Sequence, residues 1–120
     1  MMKFNDYYWH DAVIKDIKVD RNNPGINDVI FIDIEWGEKR EKATLIFEEV
    51  YWLNMNLNFG IIADETILQA KLLDHDNKDL SNFYSQWNGI LNDVKLNTFQ
   101  IDLNSTGGQI KIIAKGFSFL

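Results

Sequence analysis

A chain of 120 residues has room for one domain, and folding can bury about two thirds of its unfolded surface in one core. Its 18 acidic and 12 basic residues give a net charge of −6, which repels phosphate backbones and anionic membrane surfaces at long range. The sequence contains no Cys, which excludes disulfides, thiolate nucleophiles and zinc–thiolate sites.

The N-terminal residues predict a protein without a secretory signal. No apolar run of about 7–15 residues follows Lys3. No stretch of the chain approaches the ~20 apolar residues of a membrane-spanning helix. We therefore expect a cytoplasmic protein for which neither nucleic acid nor a membrane is a partner.

The first half of the sequence predicts an antiparallel meander of three strands. Val13–Asp20 indicates a half-buried strand, because apolar and polar side chains occupy its opposite sides. After a turn at 21–25, Val29–Trp36 begins apolar on both faces, which is typical of a central strand. The polar residues 37–42 predict the next turn, and residues 43–47 predict the third strand.

A short helical turn is predicted directly after the third strand. From Phe47 onward the apolar residues recur at helical rather than at strand spacing. One side of this turn carries Phe47, Val50, Tyr51 and Asn54, and the opposite side carries Glu48, Glu49 and Trp52.

The next two segments of the chain predict a strand and the main helix. Residues 65–73 fit either a helix capped by Asp64 or a buried strand, and we expect the strand. Residues 80–91 carry apolar side chains at helical spacing, with Asp79 placed to cap the helix. This pattern predicts that Trp87 is buried on the inner face of the helix.

The C-terminal residues predict a closing hairpin. Apolar and polar residues alternate over 99–103 and again over 110–114, with a turn at Thr106-Gly107-Gly108 between them. Together the elements predict a single α+β domain over residues 1–120. We expect an antiparallel sheet of about five or six strands, with one main helix in the C-terminal half packed on one face.

Both histidines precede an aspartate, in His10-Asp11 and His75-Asp76. Metal-dependent phosphohydrolases use such pairs, but they need further His and Asp ligands from several helices. This chain has only two His, so we expect no metal site. A divergent hydrolase remains open as one of three function classes.

The loop 74–79 resembles a calcium-binding loop at its first and third positions only. An EF-hand also needs an oxygen ligand at the fifth position, Gly at the sixth and Glu at the twelfth. Lys78, Asp79 and Ser85 occupy those positions here. We therefore expect a solvated turn before the helix, and no cofactor.

The segment that contains Glu48, Glu49 and Trp52 interleaves acidic and aromatic residues. Helical spacing directs these three side chains to the same outer side. A partly exposed Trp beside carboxylates suits a basic protein partner, because Trp supplies apolar area and the carboxylates steer the encounter. The opposite interpretation stays open: another segment covers Trp52, and the glutamates are ordinary surface charge.

A second function class is a small-molecule or carbohydrate-binding domain. Clustered aromatic residues such as Tyr7, Tyr8 and Trp9 provide the apolar walls that ligand pockets need. The aromatic content of the chain is high enough for many of these rings to belong to the core instead, and that alternative also stays open.

Three segments carry a resemblance to known proteins. They are His10-Asp11-Ala12-Val13-Ile14, Phe47-x-x-Val50-x-x-Leu53 and Phe99-x-Ile101-x-Leu103-x-Ser105-x-Gly107-Gly108-x-Ile110-x-Ile112-x-Ala114. With these segments in this order, the chain resembles small uncharacterised bacterial proteins, some of which are similar to immunity proteins of polymorphic toxin systems. The resemblance implies an acidic, non-enzymatic inhibitor that binds a cognate toxin, often a basic nuclease. It carries over no catalytic residue and implies no oligomeric state.

Overall fold

Within residues 2–120, which the computed structural model describes, six antiparallel strands and one α-helix form the fold. In chain order the elements are a 3₁₀ turn at Phe4–Asp6, β1 Val13–Asp20, β2 Val29–Trp36, β3 Glu41–Asn56, β4 Glu65–Leu72, α1 Lys78–Gln86, β5 Asn97–Leu103 and β6 Gln109–Phe119. The strands pair in the order β1-β2-β3-β6-β5-β4, and β4 pairs back to β1, so the sheet closes into a barrel. The predicted α+β fold is confirmed.

Alternate residues along the strands fill the interior of the barrel. In β2, Ile30, Ile32 and Ile34 are all buried, whereas the residues between them are more exposed. Ile110 and Ile112 repeat this pattern in β6. Burying a side chain of this size contributes about 1.5–3 kcal/mol relative to leaving it in water. The period of two that predicts the strands therefore also builds the core.

The N-terminal segment, residues 4–12, completes the seam between β1 and β4. The two strands pair directly only at Val13–Thr66 and Ile14–Glu65. Beyond them, the Asp11 amide donates to the Ile67 carbonyl at 2.9 Å, and the Asn5 side chain accepts from the Leu72 amide at 2.7 Å. These bonds satisfy backbone groups of β4 that have no partner on β1.

Two aromatic side chains of the N-terminal segment fill one end of the barrel. Phe4 is 1% exposed, and its ring centroid lies 4.6 Å from that of Trp9 and 4.9 Å from that of Phe99. The Trp9 indole donates to the Phe4 carbonyl at 2.8 Å, so its only polar atom is satisfied inside the core. This segment is therefore part of the core.

The predicted helical turn after residue 47 is wrong, because β3 continues to Asn56. It pairs with β2 through residues 41–47 and with β6 through residues 45–56. A bulge adds one residue to β3 where Val50 opposes Ala114 and Trp52 opposes Ile113. Just before it, Glu49 has a left-handed backbone with φ 49°. These irregularities make core side chains recur every third residue, which imitates helical spacing.

The predicted helix at 80–91 exists, but α1 begins and ends earlier. Asn77, not Asp79, caps it, because the Asn77 side chain accepts from the Leu80 amide at 2.9 Å. Left-handed backbone at Asn88 (φ 51°) and at the adjacent glycine prevents continuation past Gln86.

The predicted burial of Trp87 is therefore wrong. The helix packs on the outside of the barrel through Leu80 and Phe83, which contact Leu96 and Ile113. Trp87 lies at the end of the helix, where the periodicity stops, and is 47% exposed.

The remaining strand predictions are confirmed. The ambiguous segment 65–73 forms β4, and β5 and β6 form the closing hairpin. Gly107 supplies a positive φ of 72° in that turn. Gly108 is needed for a different reason, since a Cβ there would lie 2.5 Å from the Asn56 carbonyl oxygen. No helix within residues 2–120 has the length and apolar character to cross a membrane.

We expect Phe4→Ala to reduce the free energy of unfolding by about 3–5 kcal/mol, because it empties a fully enclosed aromatic site. Phe59→Ala is the matched control, since that ring is 86% exposed and its loss should change stability by no more than about 0.5 kcal/mol. Urea unfolding of both variants measures the difference. A Phe4→Ala loss below about 1 kcal/mol would show that the N-terminal segment is not part of the folded core.

Candidate functional site

Glu48 and Glu49 lie at the surface beside the bulge in β3. The Glu48 carboxylate accepts a hydrogen bond from Ser118 Oγ at 2.6 Å. The Glu49 carboxylate lies 3.3 Å from Lys115 Nζ, and both of these side chains are largely exposed. Each glutamate therefore has one partner on β6 and still faces solvent.

Trp52 is half-buried, so its position lies between the two interpretations that the sequence left open. It packs against the apolar cluster beneath α1, which contains Phe83, Leu96 and Ile113. Helical spacing would place Trp52 beside the glutamates, but this segment is a strand, so that spacing does not apply. The structure instead places it on β3 a few residues beyond them.

A recess of about 250 Å³ opens beside Trp52, between β3 and the β1–β2 loop. We name it the β3 recess. Its apolar lining includes Val19, Val50, Tyr51 and Trp52, and its polar lining is Asp20, Arg21 and Asp28. Val19 and Tyr51 are each about two fifths exposed, at 41% and 40%. The recess therefore offers accessible apolar surface next to carboxylates.

Internal contacts hold the carboxylates of the β3 recess in place. One oxygen of Asp28 lies 3.3 Å from an Arg21 nitrogen, and the other accepts from the Gly25 amide at 3.0 Å. Asp20 accepts from the backbone amide of Asn22 at 2.9 Å and from its side chain at 3.0 Å. The Asp28 carbonyl also accepts from the Val50 amide at 2.9 Å, which ties the loop to β3. These aspartates carry no signal of a shared site in the sequence, because no spacing rule connects this loop to residue 52.

The aromatic cluster predicted at residues 7–9 is divided by the structure. Trp9 is 4% exposed and belongs to the core, whereas Tyr8 is 77% exposed. Tyr7 is half-buried and stacks on Trp36, with ring centroids 5.9 Å apart and planes at 17°. Together with Tyr8 they line a cavity of about 510 Å³ between the N-terminal segment and the β2–β3 turn. We name this cavity the aromatic cleft.

A cavity of about 790 Å³ lies between α1 and the chain that follows it. In the wall of this cavity, the Tyr84 hydroxyl donates to the Val94 carbonyl at 2.5 Å and accepts from the Leu96 amide at 3.2 Å. His75 also lines this cavity, with a ring nitrogen 3.1 Å from the Asn97 side-chain oxygen. These contacts tie the helix to the following segment and bring no nucleophile against the imidazole.

The two His-Asp pairs occupy different parts of the molecule. His10 lies along β4, with one ring nitrogen 3.0 Å from the Leu68 carbonyl oxygen and the other 3.5 Å from Asp11. In the loop 74–79, Asn77 caps α1 and Asp79 pairs with Lys111 at 2.9 Å. Across residues 2–120, no three His, Cys, Asp or Glu side chains are grouped so that they could hold a metal ion.

Asp102 lies at the centre of a further group of polar side chains on the sheet surface. Partial burial raises the pKa of this carboxyl, but hydrogen bonds from Gln109, Gln69 and Gln100, together with the charge of Lys71, lower it below its ordinary value. The stabilisation is present above the unfolded-state pKa and is lost as the pH falls through the lower folded-state pKa. The three amides satisfy Asp102 internally, so we assign it a structural role.

We expect Gln109→Ala to raise the pKa of Asp102, because it removes an amide that donates to the carboxylate at 2.8 Å. The carbon chemical shift of the Asp102 carboxyl, followed by NMR through a pH titration, measures this pKa. Gln86→Ala is the matched control, since Gln86 is exposed at the end of α1 and should leave the pKa unchanged. Equal pKa values in the two variants would mean that the Gln109 bond does not form in solution.

No model of a known protein family matches the sequence, and a comparison with curated proteins finds no match. The assignment of function therefore depends on the geometry and charge described above.

Proposed function

We propose that the protein is a non-enzymatic binding protein that neutralises a basic protein partner, in the manner of an immunity protein acting on a cognate toxin in the cytoplasm. The proposed contact surface consists of Glu48, Glu49 and the β3 recess. The observation that carries the proposal is the adjacency of exposed carboxylates and accessible aromatic surface on one strand.

The charge of the chain supports this proposal. A net charge of −6 attracts a basic protein at long range and accelerates the encounter. At short range the proposed surface has four carboxylates, Asp20, Asp28, Glu48 and Glu49, against the two cations Arg21 and Lys115. The local excess has the same sign as the whole protein.

Binding at this surface requires little rearrangement. The Lys115–Glu49 pair is largely exposed, and such pairs contribute about 0–1 kcal/mol to stability. A cation of the partner can therefore replace Lys115 at a small cost. Tyr51, which is 40% exposed, offers the kind of aromatic area that dominates protein interfaces.

The backbone of Glu49 gives independent support. A non-glycine residue in the left-handed region costs roughly 1–3 kcal/mol, and such residues cluster at functional sites. Bulges, too, are frequent next to sites, where they redirect a side chain. An ordinary strand would place neighbouring side chains on opposite faces, whereas here Glu48 and Glu49 are both exposed.

A small-molecule or carbohydrate-binding role remains the second candidate, and the aromatic cleft is the observation that favours it. Its site differs from the one that the sequence indicated, because Trp36 takes the place of Trp9. For the third class, a divergent hydrolase, no described contact of His10 or His75 provides support.

The proposed function is tested by co-expressing the protein with the product of its neighbouring gene. That product should be toxic alone and harmless in the presence of this protein. With the purified pair, Glu48→Lys combined with Glu49→Lys should slow association about tenfold at low salt, and the difference should shrink as salt rises. Tyr51→Ala should mainly speed dissociation and cost about 2 kcal/mol of binding free energy.

The control for net charge is Asp76→Lys combined with Asp93→Lys, since both residues are exposed and lie outside the proposed surface. This double variant has the same net charge as the glutamate double variant, so slower association in the latter alone identifies the site. A harmless neighbouring product, or equal rates for the two double variants, would contradict the proposal. Thermal unfolding of each variant establishes that it is folded.

A further inference from the structure

The aromatic cleft is separate from the surface proposed above for a protein partner. It lies between the N-terminal segment and the β2–β3 turn, whereas the β3 recess lies between β3 and the β1–β2 loop. The two cavities share no lining residue. Ligand binding in the cleft is therefore independent of the proposed function.

The aromatic walls of the cleft are held by the core behind them. Trp36 packs against Trp9 and Phe119, with ring centroids 5.3 and 5.5 Å away. Tyr7 packs against the same two rings, at 5.6 and 5.1 Å. Tyr8 is 77% exposed and needs no ligand-induced opening to present its ring. The cleft is thus built largely before any ligand arrives.

Carboxylates surround these rings. Among the described residues that line the cleft, Glu38 and Glu41 are joined by one cation, Lys39. Across residues 2–120, neither glutamate takes part in an ion pair. Arg40, the other cation of the turn, is 3.0 Å from Asp64 and does not line the cleft. The rings and the carboxylates therefore lie in a field that favours a positive ligand.

Aromatic faces carry the negative end of a quadrupole, so they attract a cation placed over them. An anion would be repelled by two carboxylates, and a neutral apolar group would desolvate them without compensation. A quaternary trimethylammonium group fits both requirements, because its methyl groups can contact the rings while its charge faces the carboxylates. A cavity of about 510 Å³ is large enough for such a group and its attached chain.

We propose that the aromatic cleft binds a quaternary trimethylammonium cation through Tyr7, Tyr8 and Trp36, with Glu38 and Glu41 balancing its charge. The chemistry is shared by choline-type small molecules and by trimethylated lysine side chains. Both sources present the same cationic head to the rings and differ only in what is attached to it.

The test compares choline with 3,3-dimethyl-1-butanol, which has the same shape and no charge. Each probe is titrated into the labelled protein, and the indole N–H resonance of Trp36 is followed by NMR, with Trp36→Phe used for its assignment. Choline should shift this resonance saturably, and the neutral probe should bind about tenfold more weakly or not at all. A free trimethyl-lysine peptide, titrated in parallel, distinguishes the two sources, and tighter binding of either cation supports the proposal.

Three variants locate the site. Tyr8→Ala should weaken choline binding about tenfold, and because Tyr8 is 77% exposed its removal leaves the core packing intact. The double variant Glu38→Gln with Glu41→Gln should weaken the binding of choline but leave the binding of the neutral probe unchanged. Tyr51→Ala and Glu48→Gln, which lie outside the cleft, are the matched controls and should bind choline as the parent does.

Equal binding of choline and its neutral isostere would overturn the proposal, and so would unchanged choline binding in Tyr8→Ala. Saturable shifts of Trp36 with maltose but not with choline would also overturn it, in favour of a carbohydrate ligand. These outcomes leave the toxin-neutralising function untouched, because that function is read from Glu48, Glu49 and Tyr51.

Discussion

The burial of Phe4 and Trp9 anchors the N-terminal segment, and this segment completes the closure of the sheet. β1 and β4 share only two residue pairs, and the N-terminal segment adds a few backbone bonds beyond them. Each such bond contributes about 0.5–1.5 kcal/mol net, whereas each enclosed aromatic side chain contributes about 1.5–3 kcal/mol or more. Burial therefore outweighs hydrogen bonding at this seam. The aromatic rings anchor the segment that completes the seam, and the strand pairing fixes the register.

The same aromatic core positions both surfaces that we assign to binding. Tyr7 and Phe117 lie 6.2 Å apart, and Phe117 opposes Phe47 in the pairing of β6 with β3. The residue after Phe47 is Glu48, which begins the proposed partner surface. Both sites are thus built on strands whose inner side chains are packed, and such support keeps binding groups in place without a ligand. The N-terminal segment therefore serves the proposed ligand site as well as stability, because it forms one wall of the cleft.

An element of the fold could be predicted where a pattern within a few neighbouring residues determines it. The closing hairpin and β2 alternate along a few residues, so their sequence was sufficient. The bulge in β3 was not predictable, because it arises from register with β6, about sixty residues away, and it turned an expected strand into an apparent helix. Closure of the sheet was equally hidden, since residues 4–12 have no regular period. The predicted helix was several residues too long. Left-handed backbone at two adjacent residues ends α1, although the apolar spacing continues beyond them.

The surface glutamates could be found from sequence because a charged side chain avoids the core in either a helix or a strand. The cavities could not, since each needs residues from distant segments. The two proposed sites also suit different kinds of cation. In the β3 recess, Asp20 and Asp28 are occupied by internal donors, so a strongly hydrated lysine of a partner is better met by the exposed glutamates beside them. In the cleft, rings replace water around the ligand, which favours a cation that is weakly hydrated from the start. The two proposals therefore share the sign of the charge, and they differ in the hydration of the cation that each surface would select.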